Sequence, residues 1–490
     1  MSSPFRLAIV HYHLRPGGVT RVIGHAIEAL AGRDVKTAVL AGATDARELP
    51  EGTTVQEVPG LGYAEDLSEP GRDLESLLSR LKAAARAALG GPPDLWHIHN
   101  HSLGKSGVLP LAVGRLAEEG HRLLLQIHDF PEDGRPANYR ALLQHVGEGQ
   151  LDLLGRRLYP QAQHVHYAVL NTRDVAFLLA AGIPMDRLHF LPNAVALRGE
   201  AAAPPAGQNR RLFLYPTRAI RRKNIGEFLL WSALGSRQDR FATTLAPTQP
   251  SDRAVYERWI EFARFLKLPV EFEAGQGGPL AFARLLQEAT SVVTTSVSEG
   301  FGLAYLEPWL ANRPLLGRDL PEMTHEFKRD NLDLSTLYTQ LLVPLDWVGA
   351  DRFRARLAEG LKRLASDYGR RVRAEDAQHA FAAACEGDRV DFGRLDEELQ
   401  EIVIRRVAEE RDARSEIVPA RLLPDRKLDR LIRNNRWVTE SLFNLQGYAT
   451  RLLEIYRHVR QSEPGPAEPM NPKKLLDLFL APDRFFLLRS

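Results

Sequence analysis

Twice along this chain, short apolar runs alternate with segments of helical period, and that alternation limits the fold more than any single motif. In the first stretch RLAIVHY, VKTAVLAG, DLWHIHN, RLLLQIHD, HVHYAVLN and RLHFLPNAV read as strands. Between most of them lie amphipathic segments such as GVTRVIGHAIEAL, LESLLSRLKAAARAAL and TRDVAFLLAAG. Strands separated by helices imply a parallel sheet with right-handed crossovers. The pattern stops at RGEAAAPPAGQNR, residues 198–210, which is rich in Ala, Pro and Gly and has no apolar period. It restarts with RLFLYPTR, FATTLAP, VEFEAG, SVVTTS and PLLGRDL as strands. NIGEFLLWSALG, DRAVYERWIEFARFLKL, LAFARLLQEA and GLAYLEPWLANR supply the helices.

The expected fold is therefore α/β, two tandem Rossmann-like doubly wound domains with a helical C-terminal extension. The domains take residues 1–197 and 211–384, the linker 198–210 and the extension 385–490. Strands are expected to stop after about residue 350, where charged helical segments such as RFRARLAEGLKRLASDYG and RLDEELQEIVIRRVAEERDARSE take over.

Charge and cysteine usage narrow the setting. Across 490 residues, 64 Lys and Arg stand against 62 acidic residues, so no global charge marks a nucleic-acid binder. The single cysteine, Cys385, rules out an intramolecular disulfide framework and fits a reducing compartment. The N-terminus reads as the first strand of a domain rather than a signal peptide. No stretch approaches the roughly 18 uninterrupted apolar residues of a membrane span. A cytoplasmic, soluble protein is expected. The lack of a basic amphipathic surface helix leans toward a soluble acceptor over one at a membrane.

In open α/β sheets ligands bind beyond the carboxyl ends of the strands, and four candidate sites lie at such ends. In RPGGVTRVI, Gly17 and Gly18 let the backbone pass close to a ligand, with a helix N-terminus behind them. The spacing is neither G-x-G-x-x-G nor a P-loop, and a tight strand-to-helix turn would look the same. In FLYPTRAIRRKNIGEF, Arg218 ends a strand and Lys223 precedes a helix. Two fixed cations there suit a diphosphate, with Arg221 and Arg222 competing for the role; a solvated basic loop is the plainer alternative.

The third site is SEGFGLAYLEP. Phe301 and Gly302 present N–H groups at a helix start, Glu299 stands before it, and Glu307 lies about a turn and a half inside. Two carboxylates gripping two sets of hydroxyls, with anion-seeking amides between, would suit a nucleotide sugar. An exposed cap and a surface glutamate would give the same letters. The fourth site is histidine-rich: His11 and His13, then His97, His99 and His101, then His128, sit at three strand ends. Alternate strand residues share a face, so His97, His99 and His101 could converge on zinc. A polar crevice floor explains them better, since no Cys or second motif supports a metal. His128 is placed to donate to a hydroxyl or phosphate.

Together and in this order, these sites resemble the retaining glycosyltransferases of the GT-B fold, specifically family 4. SEGFGLAYLEP is similar to that family's E-x7-E motif, TRAIRRK to its Arg-x4-Lys pair and PGGV to its N-terminal glycine loop. HFLPNAV resembles its I-P-N-G-V segment, with Ala194 in place of Gly. The resemblance covers roughly residues 5 to 345. It implies a hexosyltransferase, most often using glucose, moving the sugar from a nucleoside diphosphate to a hydroxyl acceptor with retention and without a metal or other cofactor. Catalytic roles would fall to Glu299, Arg218, Lys223 and His128. The donor would be held by Gly17, Gly18, Arg218, Lys223, Glu299, Phe301, Gly302, Leu303 and Glu307. Of these, Glu299 would bind sugar hydroxyls and Glu307 the ribose diol. The acceptor would meet variable loops of the N-terminal domain, including His101, Lys105 and Asp129.

The resemblance further implies that terminal helices cross back onto the N-terminal domain. Thr20 departs from it, standing where Glu or Gln is frequent. The long extension lies outside the common core and reads as packing, with self-association or partner docking as alternatives. Competing functions are a sugar-nucleotide epimerase, a phosphorylase (for which no lysine motif for pyridoxal phosphate is evident) and a non-catalytic scaffold.

Overall fold

The computed structural model describes residues 4–44, 48–64, 73–196, 211–236, 238–276, 279–419, 428–466 and 470–489. The expected linker 198–210 lies outside the described residues. The chain forms two compact units. One comprises Met1–Ala194, Asp367–Gly369 and Phe443–Leu480, the other Val195–Ser366, Arg370–Leu442 and Ala481–Ser490.

The first unit is built on seven parallel strands: β1 Phe5–His11, β2 Val35–Ala41, β3 Val55–Glu57, β4 Leu95–His99, β5 Leu123–Ile127, β6 Val165–Val169 and β7 Leu188–Phe190. Their order is β3-β2-β1-β4-β5-β6-β7. β4, β5 and β6 are buried at every residue, as parallel strands covered on both faces must be. Helix Gly18–Leu30 buries Val22, Ile23, Ala26, Ala29 and Leu30, a stripe at helical spacing. Helix Leu445–Gln461 joins the same core through Tyr448, Ala449, Leu452, Ile455, Tyr456 and Val459, which meet Leu7, Ile9, Leu95 and Leu124. β7 stops at Phe190, short of the run RLHFLPNAV, because Pro192 has no N–H to extend the ladder.

The second unit repeats the plan with β8 Arg211–Arg218, β9 Asp239–Leu245, β10 Val270–Glu271, β11 Ser291–Thr294, β12 Leu315–Arg318 and β13 Leu337–Tyr338, in the order β10-β9-β8-β11-β12-β13. Its core gathers Phe213, Phe228, Trp231, Phe241, Trp259 and Phe353 with Leu399 and Val403 of helix Glu397–Glu409.

Two expectations are corrected. Strands do not end near residue 350: β14 Leu342–Pro344, β15 Cys385–Glu386 and β16 Arg389–Asp391 form an antiparallel sheet in the order β14-β16-β15. The β15–β16 hairpin turns through Gly387, whose φ of 61° suits glycine, and Asp388. Nor is GLAYLEPWLANR one helix. A 3-10 turn, Leu303–Tyr305, is followed by the four-residue helix Glu307–Leu310. Pro308 breaks the run, since it lacks the N–H that would bond back and disfavours a helical residue before it.

Candidate functional site

In each sheet the strand order reverses once, between β1 and β4 and between β8 and β11. A crevice beyond the carboxyl ends at such a reversal is where ligands of doubly wound sheets bind. β8 and β11 are hydrogen-bonded neighbours, with Phe213 opposite Ser291. The segments leaving them, 219–224 and 295–299, therefore run side by side.

Those segments are stitched together before any charge is considered. Val297 N–H donates to the Arg222 carbonyl at 3.0 Å. Thr295 Oγ1 donates to the carbonyls of Lys223 and Asn224 at 3.1 and 3.0 Å. Tyr215, buried on β8, donates to the Lys223 carbonyl at 3.0 Å and lies 2.8 Å from Ser296 Oγ. Asn224, at a left-handed φ of 51°, then turns the chain into helix Ile225–Leu234.

On this frame Lys223 Nζ pairs with Glu299 Oε1, and Arg222 Nη1 reaches Glu299 Oε2 at 3.3 Å. Arg222 also donates to the Ser298 carbonyl at 2.5 Å. Burial alone would raise the Glu299 carboxyl, but Lys223 and then Arg222 outweigh it and bring it down to about 2. Burial draws the Lys223 ammonium downward against the pull of Glu299. Arg221 is committed elsewhere, to Glu397 at 2.5 and 2.9 Å.

Of the expected pair Arg218 and Lys223, only Lys223 meets Glu299. Arg218 is exposed and donates to the Ala246 carbonyl at 3.1 Å. The second cation on Glu299 is Arg222. Phe301 is buried and packs edge-on against Phe327, ring centres 5.7 Å apart. Gly302 takes a φ of 86°, and a Cβ there would lie 2.8 Å from the Tyr305 ring, so the position demands glycine. Because a 3-10 turn follows, Leu303 does not open a long helix, and the helix dipole expected at Phe301–Leu303 is not built. Glu307 correspondingly begins a four-residue helix instead of lying inside a longer one.

In the first unit the reversal brings together the ends of β1 and β4. Gly17 donates its N–H to Glu48 Oε2 at 3.2 Å. A Cβ on Gly18 would meet nothing within 4 Å, and one on Gly17 only the Arg15 carbonyl at 3.8 Å. The chain's own packing thus leaves open space over both glycines. Thr20 is buried and its Oγ1 donates to the Arg15 carbonyl at 2.7 Å, fixing the loop before the helix.

His97, His99 and His101 do not converge. His97 is held by the Tyr456 hydroxyl at 2.8 Å and Gln126 Oε1 at 2.9 Å. His99 Nδ1 lies 2.9 Å from His128 Nε2. Asn100, at φ 54°, turns the chain, so His101 points inward with Nε2 on the Leu158 carbonyl at 2.8 Å. It offers no surface to an acceptor. Burial lowers His97 to about 3, His101 to about 4 and His128 to about 4, so all three are neutral at pH 7.

The tautomers follow from His99 Nε2, which is buried without a partner among the described residues. An orphaned lone pair is tolerated more readily than an orphaned N–H. His99 therefore carries its proton on Nδ1 and donates to His128, leaving His128 with an Nδ1–H to donate. His128 is further fixed by Asn100 Oδ1, which accepts its backbone N–H at 2.7 Å and that of Asp129 at 3.1 Å.

Asp129 accepts from Arg135 Nη2 at 2.6 Å. Lys105 Nζ stands 5.7 Å from the centre of the Tyr63 ring, lowered first by burial and then by Arg135. Arg15 and Arg135 both act on the Tyr63 hydroxyl. Lys105 thus stands over the Tyr63 ring, while burial and Asp129 raise the Tyr63 hydroxyl against Arg135 and Arg15. Arg15, Arg135 and Tyr63 were missed in the sequence, since they lie on three separate loops. The Arg222 contact was visible there only as a competitor of Lys223.

Two parallel-sheet units in tandem define the GT-B architecture of glycosyltransferases. Residues 17–194 match the glycosyl transferase 4-like domain. This match and the fold together support a GT4-like glycosyltransferase family. It is 27% identical over 427 residues to mannosylglucosyl-3-phosphoglycerate synthase of Petrotoga mobilis, covering 80% of this chain and 79% of that one. Among solved structures, sucrose-phosphate synthase from Thermosynechococcus elongatus matches with a TM-score of 0.51 at 17% identity, covering 92% of this chain and 98% of that one. A glycosyltransferase from Rickettsia africae matches with a TM-score of 0.54 at 12% identity, covering 94% and 99%. The Candida albicans trehalose-6-phosphate phosphatase N-terminal domain also reaches 0.54, at 13% identity, covering 94% and 97%. At these identities the structural likeness is one of fold.

Proposed function

We propose that this glycosyltransferase moves a hexosyl group from a nucleoside diphosphate sugar to a hydroxyl of a phosphorylated acceptor, with retention and without a divalent metal, in the cytoplasm. The observation that carries the reading is the Lys223–Glu299–Arg222 cluster at the β8/β11 reversal. Arg222 and Lys223 outnumber Glu299, so net positive charge remains for a departing diphosphate, to which Arg218 would add. Glu299 binds sugar hydroxyls, Glu307 the ribose diol, and the backbone of Phe301–Leu303 the sugar and phosphates. Gly17 and Gly18 leave room for phosphate against the backbone.

In the reaction the bond from the anomeric carbon to the diphosphate oxygen breaks, its electron pair leaving with the diphosphate. The acceptor oxygen bonds to the same face of that carbon, and the acceptor proton passes to the leaving phosphate oxygen. Glu299 is a poor candidate for a covalent nucleophile. Both its oxygens are engaged by cations, which hold its carboxyl near 2 and withdraw electron density. The Nδ1–H of His128 donates to a sugar oxygen.

A phosphorylated acceptor is supported by Arg15, Lys105 and Arg135 round Tyr63, and by the name of the Petrotoga relative, which denotes a phosphoglycerate product. The deciding assay measures nucleoside diphosphate release from UDP-, GDP- and ADP-hexoses with glucosyl-3-phosphoglycerate and its unphosphorylated counterpart, in EDTA, with the product anomer read by NMR. Release dependent on the phosphorylated acceptor and resistant to EDTA supports the reading. Loss of turnover in EDTA, or an inverted product, overturns it.

A further inference from the structure

Away from both reversals, three histidines from three elements meet in the first unit. His166 is the second residue of β6, His189 the middle residue of β7, and His458 lies in the last turn of helix Leu445–Gln461. His166 is buried, His189 partly buried and His458 exposed. His166 Nδ1 lies 2.9 Å from His189 Nε2, and one ring nitrogen of each of the three falls within 4.8 Å of the others. The His166 and His189 rings stack at 5.2 Å, and His458 meets them edge-on at 5.2 and 5.6 Å.

We propose that His166, His189 and His458 form a binding site for a first-row transition-metal ion, zinc in the first instance, that pins the C-terminal helix to the β6–β7 edge. The donor set is three imidazoles, which suits Zn2+, Ni2+, Co2+ or Cu2+ and not Mg2+ or Ca2+. Zinc bound to three histidines with a water in the fourth place is an ordinary tetrahedral site. With metal–nitrogen bonds of about 2.0–2.1 Å, tetrahedral ligand atoms stand about 3.3 Å apart. The pair at 2.9 Å must therefore open by only a few tenths of an ångström.

Two further features favour a cation over a bare hydrogen bond. His166 Nε2 lies 3.1 Å from the Gln163 carbonyl. That carbonyl can only accept, so the His166 proton sits on Nε2 and the Nδ1 lone pair faces the cluster. This is the outer-shell support that metal-binding histidines usually have. His458 and Arg460 also lie where the helix dipole presents its negative end, which attracts positive charge. Asp186 and Arg187 flank the group with one charge of each sign.

The site is independent of the transfer chemistry. His166 and His189 stand on strands two and three places along from β4, with His166 toward the amino end of β6. Donor and acceptor groups lie beyond carboxyl ends. The inference thus goes beyond the proposed activity and survives or fails apart from it.

The test is calorimetric titration of the full-length chain with ZnCl2, alongside His458→Ala and His189→Ala, with visible spectra of the Co2+ form. We expect about one equivalent bound, weakened by about tenfold or more in either variant, with a tetrahedral Co2+ spectrum in the parent chain alone. Glycosyl transfer is expected to be unchanged in both variants. Equal zinc affinity in the parent and His458→Ala, or no stoichiometric binding, overturns the proposal.

Discussion

Lys223 and Glu299, 76 residues apart in sequence, form an ion pair where β8 and β11 end side by side. Without a ligand each neutralises the other, and Arg222 completes the cluster. A diphosphate arriving beside Lys223 must share a cation that already has a carboxylate partner. The pair therefore sets Lys223 in place and, on the proposed function, would temper how tightly the product diphosphate is held.

On the proposed function, replacing Lys223 with Ala would remove a cation from the leaving group. Transfer is expected to fall about a hundredfold in kcat/KM, the usual cost of one transition-state contact of this type. Glu307→Ala is expected to weaken donor binding, and Glu299→Ala to slow turnover more than binding. Steady-state diphosphate release against donor concentration separates the three; undiminished turnover in Lys223→Ala would sink the assignment.

The Glu299 carboxyl is held at about 2, below its ordinary 4.5. A depressed carboxylate contributes stability that is present above about pH 4.5 and lost as pH falls toward 2. Urea denaturation of Glu299→Gln and the parent chain should therefore differ most near neutral pH and converge in acid. A gap that widens below pH 4 contradicts this.

Glu132 titrates in the opposite sense. Burial raises its carboxyl to about 7, although Tyr159 donates to it at 2.9 Å. Its contribution is fully present below about pH 4.5 and is lost as pH rises through 7. Glu132→Gln keeps an acceptor for Tyr159 and removes the titration. Its melting temperature should gain on the parent at pH 8 relative to pH 5.

Arg318 is buried between Glu227 and Asp391, with contacts of 2.6 and 2.7 Å and side chains no more than 3% exposed. Tyr338 adds a hydroxyl to Glu227 at 2.8 Å. Arg318→Met leaves two carboxylates buried together, and about 3–5 kcal/mol of stability should be lost. Glu227→Gln with Asp391→Asn in the Arg318→Met background should restore part of it, measured on the second unit's unfolding transition.

Both parallel sheets were legible because their apolar runs are short, regular and separated by amphipathic helices. Lys223 and Glu299 were legible because each ends a run in which the strand pattern is plain. The antiparallel sheet was not, since β14 finds β16 across 45 residues or more and each strand holds only two or three residues. Its one local cue, Gly387-Asp388 between short apolar stretches, is a hairpin turn signal that the surrounding helical charge pattern obscured. GLAYLEPWL keeps a helical apolar period, yet Pro308 stops the hydrogen-bond ladder. His458 could not be linked to His166 and His189 by spacing, because the contact depends on where a distant helix docks.

That docking has a consequence for how the protein is made. Tyr456, whose hydroxyl donates to His97 in the middle of the first sheet, is translated 359 residues after it. Until then the nascent first unit lacks the part of its core where Tyr448, Leu452 and Val459 will lie beside helix Gly18–Leu30. It cannot complete folding as it leaves the ribosome, and most of the second unit, Val195–Ser366 and Arg370–Leu442, is synthesised while that apolar patch stands uncovered.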